Sequence, residues 1–129
     1  MRAIYKAPGK DPQRVEIGNE LGFLQQIVGG YIETVRISDN GILVMNEEGK
    51  LRGLEPNFYL GAIGDTIVGP VLIVGENGDE FADLPADEAD EIERILKEAS
   101  KYEEDDHTGQ AQTVRDTAFI RWQIRRFDQ

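Results

Sequence analysis

Apolar and polar positions alternate through residues 2–7 around Ile4 and Tyr5, which predicts a first strand. Pro8-Gly9-Lys10-Asp11-Pro12 is a turn, and Val15 and Ile17 share one face of a short second strand over residues 14–17. Leu21, Leu24, Ile27 and Val28 then recur at helical spacing. Asn19 is the expected N-cap of that helix, and Gly29-Gly30 stops it. Residues 31–38 are β-branched and alternating, Asp39-Asn40-Gly41 is a tight turn, and residues 42–45 form the return strand. Asn46-Glu47-Glu48-Gly49 predicts a second turn and residues 50–54 a third strand, completing an antiparallel meander. Residues 56–65 are a loop holding Phe58, Tyr59 and Leu60. Residues 66–74 form a strongly apolar strand interrupted by Gly69-Pro70; proline donates no amide hydrogen, so the strand lies at an edge there or carries a bulge.

Pro85 opens a second helix, because proline suits a first turn. Ala89, Ile92, Ile95, Leu96, Ala99 and Tyr102 make its buried stripe. Its early acids, Asp87, Glu88, Asp90 and Glu91, and its late Lys97 and Lys101 suit the helix dipole. Residues 103–109 are a linker. Residues 111–127 are unbroken by Gly or Pro and predict a third helix, although the Ile120, Trp122, Ile124 alternation also fits a strand. The expected architecture is α+β: a mostly antiparallel sheet of five to six strands with two to three helices packed on one side. Residues 1–104 form one domain, and residues 105–129 are a C-terminal extension, read as helical.

The net charge of −11 changes this picture because it is concentrated. Residues 1–75 are close to neutral, and residues 107–129 carry Arg115, Arg121, Arg125 and Arg126 against Asp116 and Asp128. The excess lies in residues 76–106, whose only bases are Arg94, Lys97 and Lys101. Such a block works against direct binding to nucleic acid or to an anionic membrane. It fits either a solvated helix face or a surface that meets a basic partner. With no Cys, neither a disulfide framework nor a Cys-ligated zinc site is available. No apolar run is long enough to span a bilayer, and the first residues lack the apolar core of a signal peptide, so a soluble cytoplasmic protein is expected.

Candidate chemistry is sparse. His107, the one histidine, lies in a polar linker without rigid partners. Glu76, Asn77, Asp79, Glu80 and Asp83 do not follow a calcium-loop pattern. Gly61-Ala62-Ile63-Gly64 and Gly29-Gly30 lack the context of a phosphate loop and serve as turns. Ser38 and Ser100 have no neighbouring base or nucleophile elbow, and Glu47-Glu48 lie in a water-facing turn. Tyr31, Phe58, Tyr59 and Trp122 suit core packing first; a pocket near Phe58 and Tyr59, with Arg36, Lys50 and Arg52 as its cations, is the competing use. The tail arginines are placed to meet the acidic helix of the same molecule or of a second copy.

The runs Val28-Gly29-Gly30-Tyr31-Ile32-Glu33, Asn46-Glu47-Glu48-Gly49-Lys50, Gly64-Asp65 and Ile67-Val68-Gly69-Pro70 resemble, in order and spacing, the domain of unknown function 3846 family over roughly residues 1–84. The second helix is similar in character, and the segment after Asp106 looks like an extension. The resemblance implies no activity, cofactor or catalytic residue. It implies a setting in phages and mobile elements of Firmicutes, where small acidic proteins often antagonise host defence.

Together these readings predict a non-enzymatic inhibitor that needs no metal and no cofactor. Its acidic helix, through Asp87, Glu88, Asp90, Glu91 and Glu98, would occupy the basic surface of a host nucleic-acid-handling protein, as a nucleic-acid mimic does. A homodimer is a further expected partner state. The alternatives are a binder of a nucleotide signal, using Phe58, Tyr59, Arg36 and Arg52, and a structural or accessory protein. An enzyme ranks last, because nucleophile, base and orienting group never come together.

Overall fold

The structure, a computed structural model, describes residues 1–105, and within them the side chains of all but residue 62 and residues 100–105. The chain runs β1 (Arg2–Lys6), β2 (Gln13–Glu16), α1 (Leu21–Val28), β3 (Ile32–Arg36), β4 (Ile42–Asn46), β5 (Pro56–Leu60), a 3-10 turn (Gly61–Ile63), β6 (Asp65–Val68), β7 (Val71–Asn77), β8 (Glu80–Ala82) and α2 (Ala86–Asp105). The strands β2-β1-β7-β4-β3 lie side by side in one antiparallel sheet of six, with β8 also paired to β7. β5 and β6 form a separate two-stranded ribbon. The α+β class and the six-stranded antiparallel sheet therefore hold.

The two helices, however, lie on opposite faces rather than on one side. β4 and β7 are apolar at successive positions, and a strand apolar on both faces needs cover on both. Leu43, Met45, Val71 and Ile73 pack with Ile92, Ile95, Leu96 and Ala99 of α2 and with Phe58, Leu60 and Ile67 of the ribbon. Ile42, Val44, Leu72 and Val74 pack on the other face with Leu24 and Val28 of α1. The stripe expected of α2 is buried from Ala89 through Ala99; Tyr102 lies outside the described side chains.

Other differences are local. Asn19 does not cap α1, whose N-cap position is Glu20 with no side-chain bond; its amide instead donates to the Phe81 carbonyl at 2.8 Å. Residues 50–54 do not form a third meander strand. The chain turns through 47–53, closed by bonds such as Arg52 N–H to the Glu48 carbonyl, so β4 is left to pair with β7. The apolar run over 66–74 is two strands in two sheets. Gly69, at φ 76°, takes a backbone conformation that L side chains rarely adopt, and Pro70 marks the break, so that β7 itself is central and proline-free. Residues 56–60, expected in a loop, form β5. Its Asn57 is fully buried and bonds the carbonyls of Lys6 (2.9 Å) and Gly69 (2.8 Å), which fixes the ribbon to the sheet. At the far end of β7, Gly75 is packed so closely against the Asp83 carbonyl that a Cβ there has no space, and this contact lets β8 fold back beside β7. The expected helix over 111–127 lies outside the described residues.

Candidate functional site

α2 places its acids by helical geometry, and they divide into two groups. Glu88 lies four residues before Ile92, on the stripe that faces the sheet. It is 2% exposed. Its carboxylate accepts from the Ser38 hydroxyl and, at 3.0 Å each, from the Asn40 backbone N–H and the Asn40 side-chain amide. Ser38 also accepts from the Gly41 N–H at 2.9 Å. Glu88 thus holds the β3–β4 turn and presents nothing to a partner, contrary to the sequence expectation.

Of the other α2 acids with described side chains, Asp87, Asp90 and Glu98 are exposed and Glu91 and Glu93 half-buried, and most are met within the chain. Asp90 accepts from Arg14 at 2.6 Å, and Glu93 takes the Arg14 Nε at 3.2 Å. Arg94 bridges Glu91 at 2.8 Å and Glu98 at 3.5 Å, and Lys97 lies 3.8 Å from Glu93. The bond to Asp90, opposed by partial burial and aided by Glu93, raises the pKa of Arg14 above its ordinary value.

A second group of acids lies at the end of the sheet where β3 and β7 finish and β1 and α2 begin. Asp39, Glu76, Asp79, Glu80, Asp83 and Asp87 share it with the guanidinium groups of Arg2 and Arg36. Arg36 bonds Glu76 at 2.5 Å and the Asp39 carbonyl at 2.9 Å. The Arg2 backbone N–H donates to Asp83 at 2.7 Å and its guanidinium to the other oxygen at 3.1 Å; the backbone bond is the larger cause of a lowered Asp83 pKa. From the sequence, Glu76, Asp79, Glu80 and Asp83 stood out only as a cluster without a calcium-loop pattern, and Asp87 as an acid of the second helix. The β7–β8 hairpin carries Asp79 and Glu80 at its tip and Asp83 where the chain leaves it for α2.

The residues expected to line a ligand pocket are not assembled. Phe58 is buried in the core beneath α2, whereas Arg36 follows Ile32 and Thr34 on the α1 face of β3, engaged with Glu76. Arg52 bonds the Gly29 carbonyl at 3.2 Å. Neither Tyr59 nor any of these three lines either of two surface cavities. One cavity, of about 330 Å³, lies between β1, β2 and the start of α2, with Arg2, Arg14 and Glu16 as its charged residues. The other, of about 400 Å³, lies between β3, β4 and β6 and includes Glu33, Met45, Glu47, Lys50, Leu51 and Ile63. Lys50 is committed there to Asp65, and this bond lowers the Asp65 pKa. Sequence reasoning missed this cavity. Its signal was the pair of large apolar residues, Leu51 and Ile63, in turn segments.

Among the described residues no group of three or more His, Cys, Asp or Glu is placed to hold a metal ion, and no helix is long and apolar enough to cross a membrane. His107 and the tail arginines lie outside the described residues. No curated protein and no solved structure matches the chain. A family model described as a domain of unknown function (DUF3846) matches residues 1–97, from β1 well into α2 and about three quarters of the sequence. The chain belongs to the DUF3846 family.

Proposed function

We propose that this chain is a non-enzymatic phage or mobile-element protein that acts in the cytoplasm of a bacterial host. There it binds and inhibits a defence-related, nucleic-acid-handling protein by offering an acidic surface in place of nucleic acid. The observation that supports this reading is the gathering of Asp39, Asp79, Glu80, Asp83 and Asp87 at one end of the sheet. That surface is formed by two turns and a helix start held by Glu88 and Gly75, so its charges are presented on a fixed frame. A partner that reads phosphate backbones carries a complementary basic groove, and like a phosphate backbone this surface would bind it in a salt-dependent way. The centre of the surface lies at this end rather than along the outer face of α2, where Arg14, Arg94 and Lys97 already meet most of the acids. The nucleotide-binding alternative draws less support, because among the described residues Arg36, Lys50 and Arg52 are each engaged with an acid of the chain itself.

The test is capture from a bacterial host lysate on the immobilised full chain at low and at high salt. A triple reversal, Asp79→Lys, Glu80→Lys and Asp87→Lys, serves as the comparison. A nucleic-acid-handling protein retained at low salt, displaced by added DNA or RNA and lost with the triple variant is the expected result. Retention that survives the reversal overturns the reading.

A further inference from the structure

We propose that this chain's own arginine-bearing tail, residues 114–127, seats in the larger cavity, between β3, β4 and β6. Its apolar side chains lie against the cavity wall and its guanidinium groups lie on Glu33 and Glu47. The cavity is unusual in combining two kinds of unsatisfied surface. Leu51 is 84% exposed and Ile63 45% exposed on its rim, over Val35, Met45, Ile67 and Val68. Exposed large apolar groups gathered around a concavity mark a surface that something covers.

Beside them stand Glu33, directly across from Met45 in the β3–β4 register, and Glu47 at the start of the following turn. Both are exposed, and among the described residues neither is in an ion pair. The occupant this lining selects is apolar and cationic together. The tail has that composition: Val114, Ile120, Trp122, Ile124 and Phe127 stand among Arg115, Arg121, Arg125 and Arg126.

The other places for a basic segment are less suited. Among the described residues, Asp90, Glu91, Glu93 and Glu98 of α2 are already met by Arg14, Arg94 and Lys97. The smaller cavity is lined by Arg2 and Arg14, of the tail's own sign. Reach is not limiting: the chain between Asp105 and Trp122 spans up to roughly 55 Å when extended, against a radius of gyration of about 13 Å for a domain of this size.

Trp122, the one tryptophan in a chain without cysteine, makes the test direct. A nitroxide is attached to the full-length Leu51→Cys variant, and Trp122 emission is compared with that of the unlabelled protein. Docking predicts a several-fold loss of emission that does not change on dilution and is reversed by adding Glu33→Lys and Glu47→Lys together. Emission untouched by the label overturns the proposal. So does quenching that fades on dilution, which assigns the cavity to a second copy, and so does quenching that persists in the charge-reversed variant. The first comparison stands on the Leu51→Cys protein alone, should the double reversal perturb folding.

Discussion

Lys6 and Asn57 hold each other from both ends: the Lys6 ammonium donates to the Asn57 side-chain carbonyl at 2.9 Å, and the Asn57 amide donates to the Lys6 backbone carbonyl at 2.9 Å. Both are buried, Lys6 at 1% exposure. The same amide bonds Gly69, so one side chain joins β1, β5 and the break before β7.

Asn57→Ala should therefore cost about 2–4 kcal/mol, because two buried carbonyls lose its amide and the Lys6 ammonium keeps the Ala7 carbonyl but loses an acceptor in the interior. Urea denaturation measures it. The midpoint should fall with little change in slope, since the surface exposed on unfolding is nearly the same.

Glu88 and Glu98 lie on one helix and differ in what surrounds them. Glu88→Gln should cost about 2 kcal/mol, because the three donors from Ser38 and Asn40 then face a single acceptor. Glu98→Gln should stay within about 0.5 kcal/mol, since its pair with Arg94 is solvent-exposed. Thermal unfolding of the two variants, which change charge equally, separates the roles.

Asp83 supplies a pH test. Its carboxylate pKa in the folded chain lies below the ordinary 3.8, held there first by the Arg2 N–H and then by its guanidinium. A lowered carboxylate pKa contributes stability that is present above the unfolded value and lost as pH falls through the folded one. The stability difference between the native chain and Asp83→Asn should be constant near neutrality and shrink below about pH 4. Chemical denaturation across that range measures it, and a difference that grows toward acid would contradict the assignment.

The sequence showed most plainly what periodicity governs. The α2 stripe, the β3–β4 hairpin and β1 follow from spacing alone, because each buries its apolar positions against whatever it meets. It failed where a distant contact decided the outcome. Pro56 and Asn57 disfavour a strand locally, yet Asn57 is bound by Lys6 and Gly69, and β5 forms around it. Residues 50–54 alternate weakly, and the turn bonds they donate to the Glu48, Gly49 and Lys50 carbonyls override that pattern.

The same distinction applies to the site. The acidic block was visible as composition, and its division was not. Glu88 shares a stripe with Ile92, a spacing that marks it as inward-facing, but its partners Ser38 and Asn40 are brought there only by the fold. Phe58 packs in the core, the first of its two expected uses, although its segment is a strand where a loop was expected. Glu33 and Leu51 gave no periodic signal, because they matter only as neighbours across a concavity.

The central place of β7 also sets the order in which the molecule can be completed. β1 pairs locally with β2, and β4 with β3, but the two hairpins meet only through Val71–Asn77. On a ribosome, everything before residue 71 emerges with one edge of β1 and one of β4 still open, and open edges recruit other chains. Sheet closure therefore waits on long-range pairing such as Ile4 with Ile73, a topology that folds slowly for its size. The acidic residues that follow immediately, through β8 and α2, add like charge to each nascent chain just as its sheet edges are being filled.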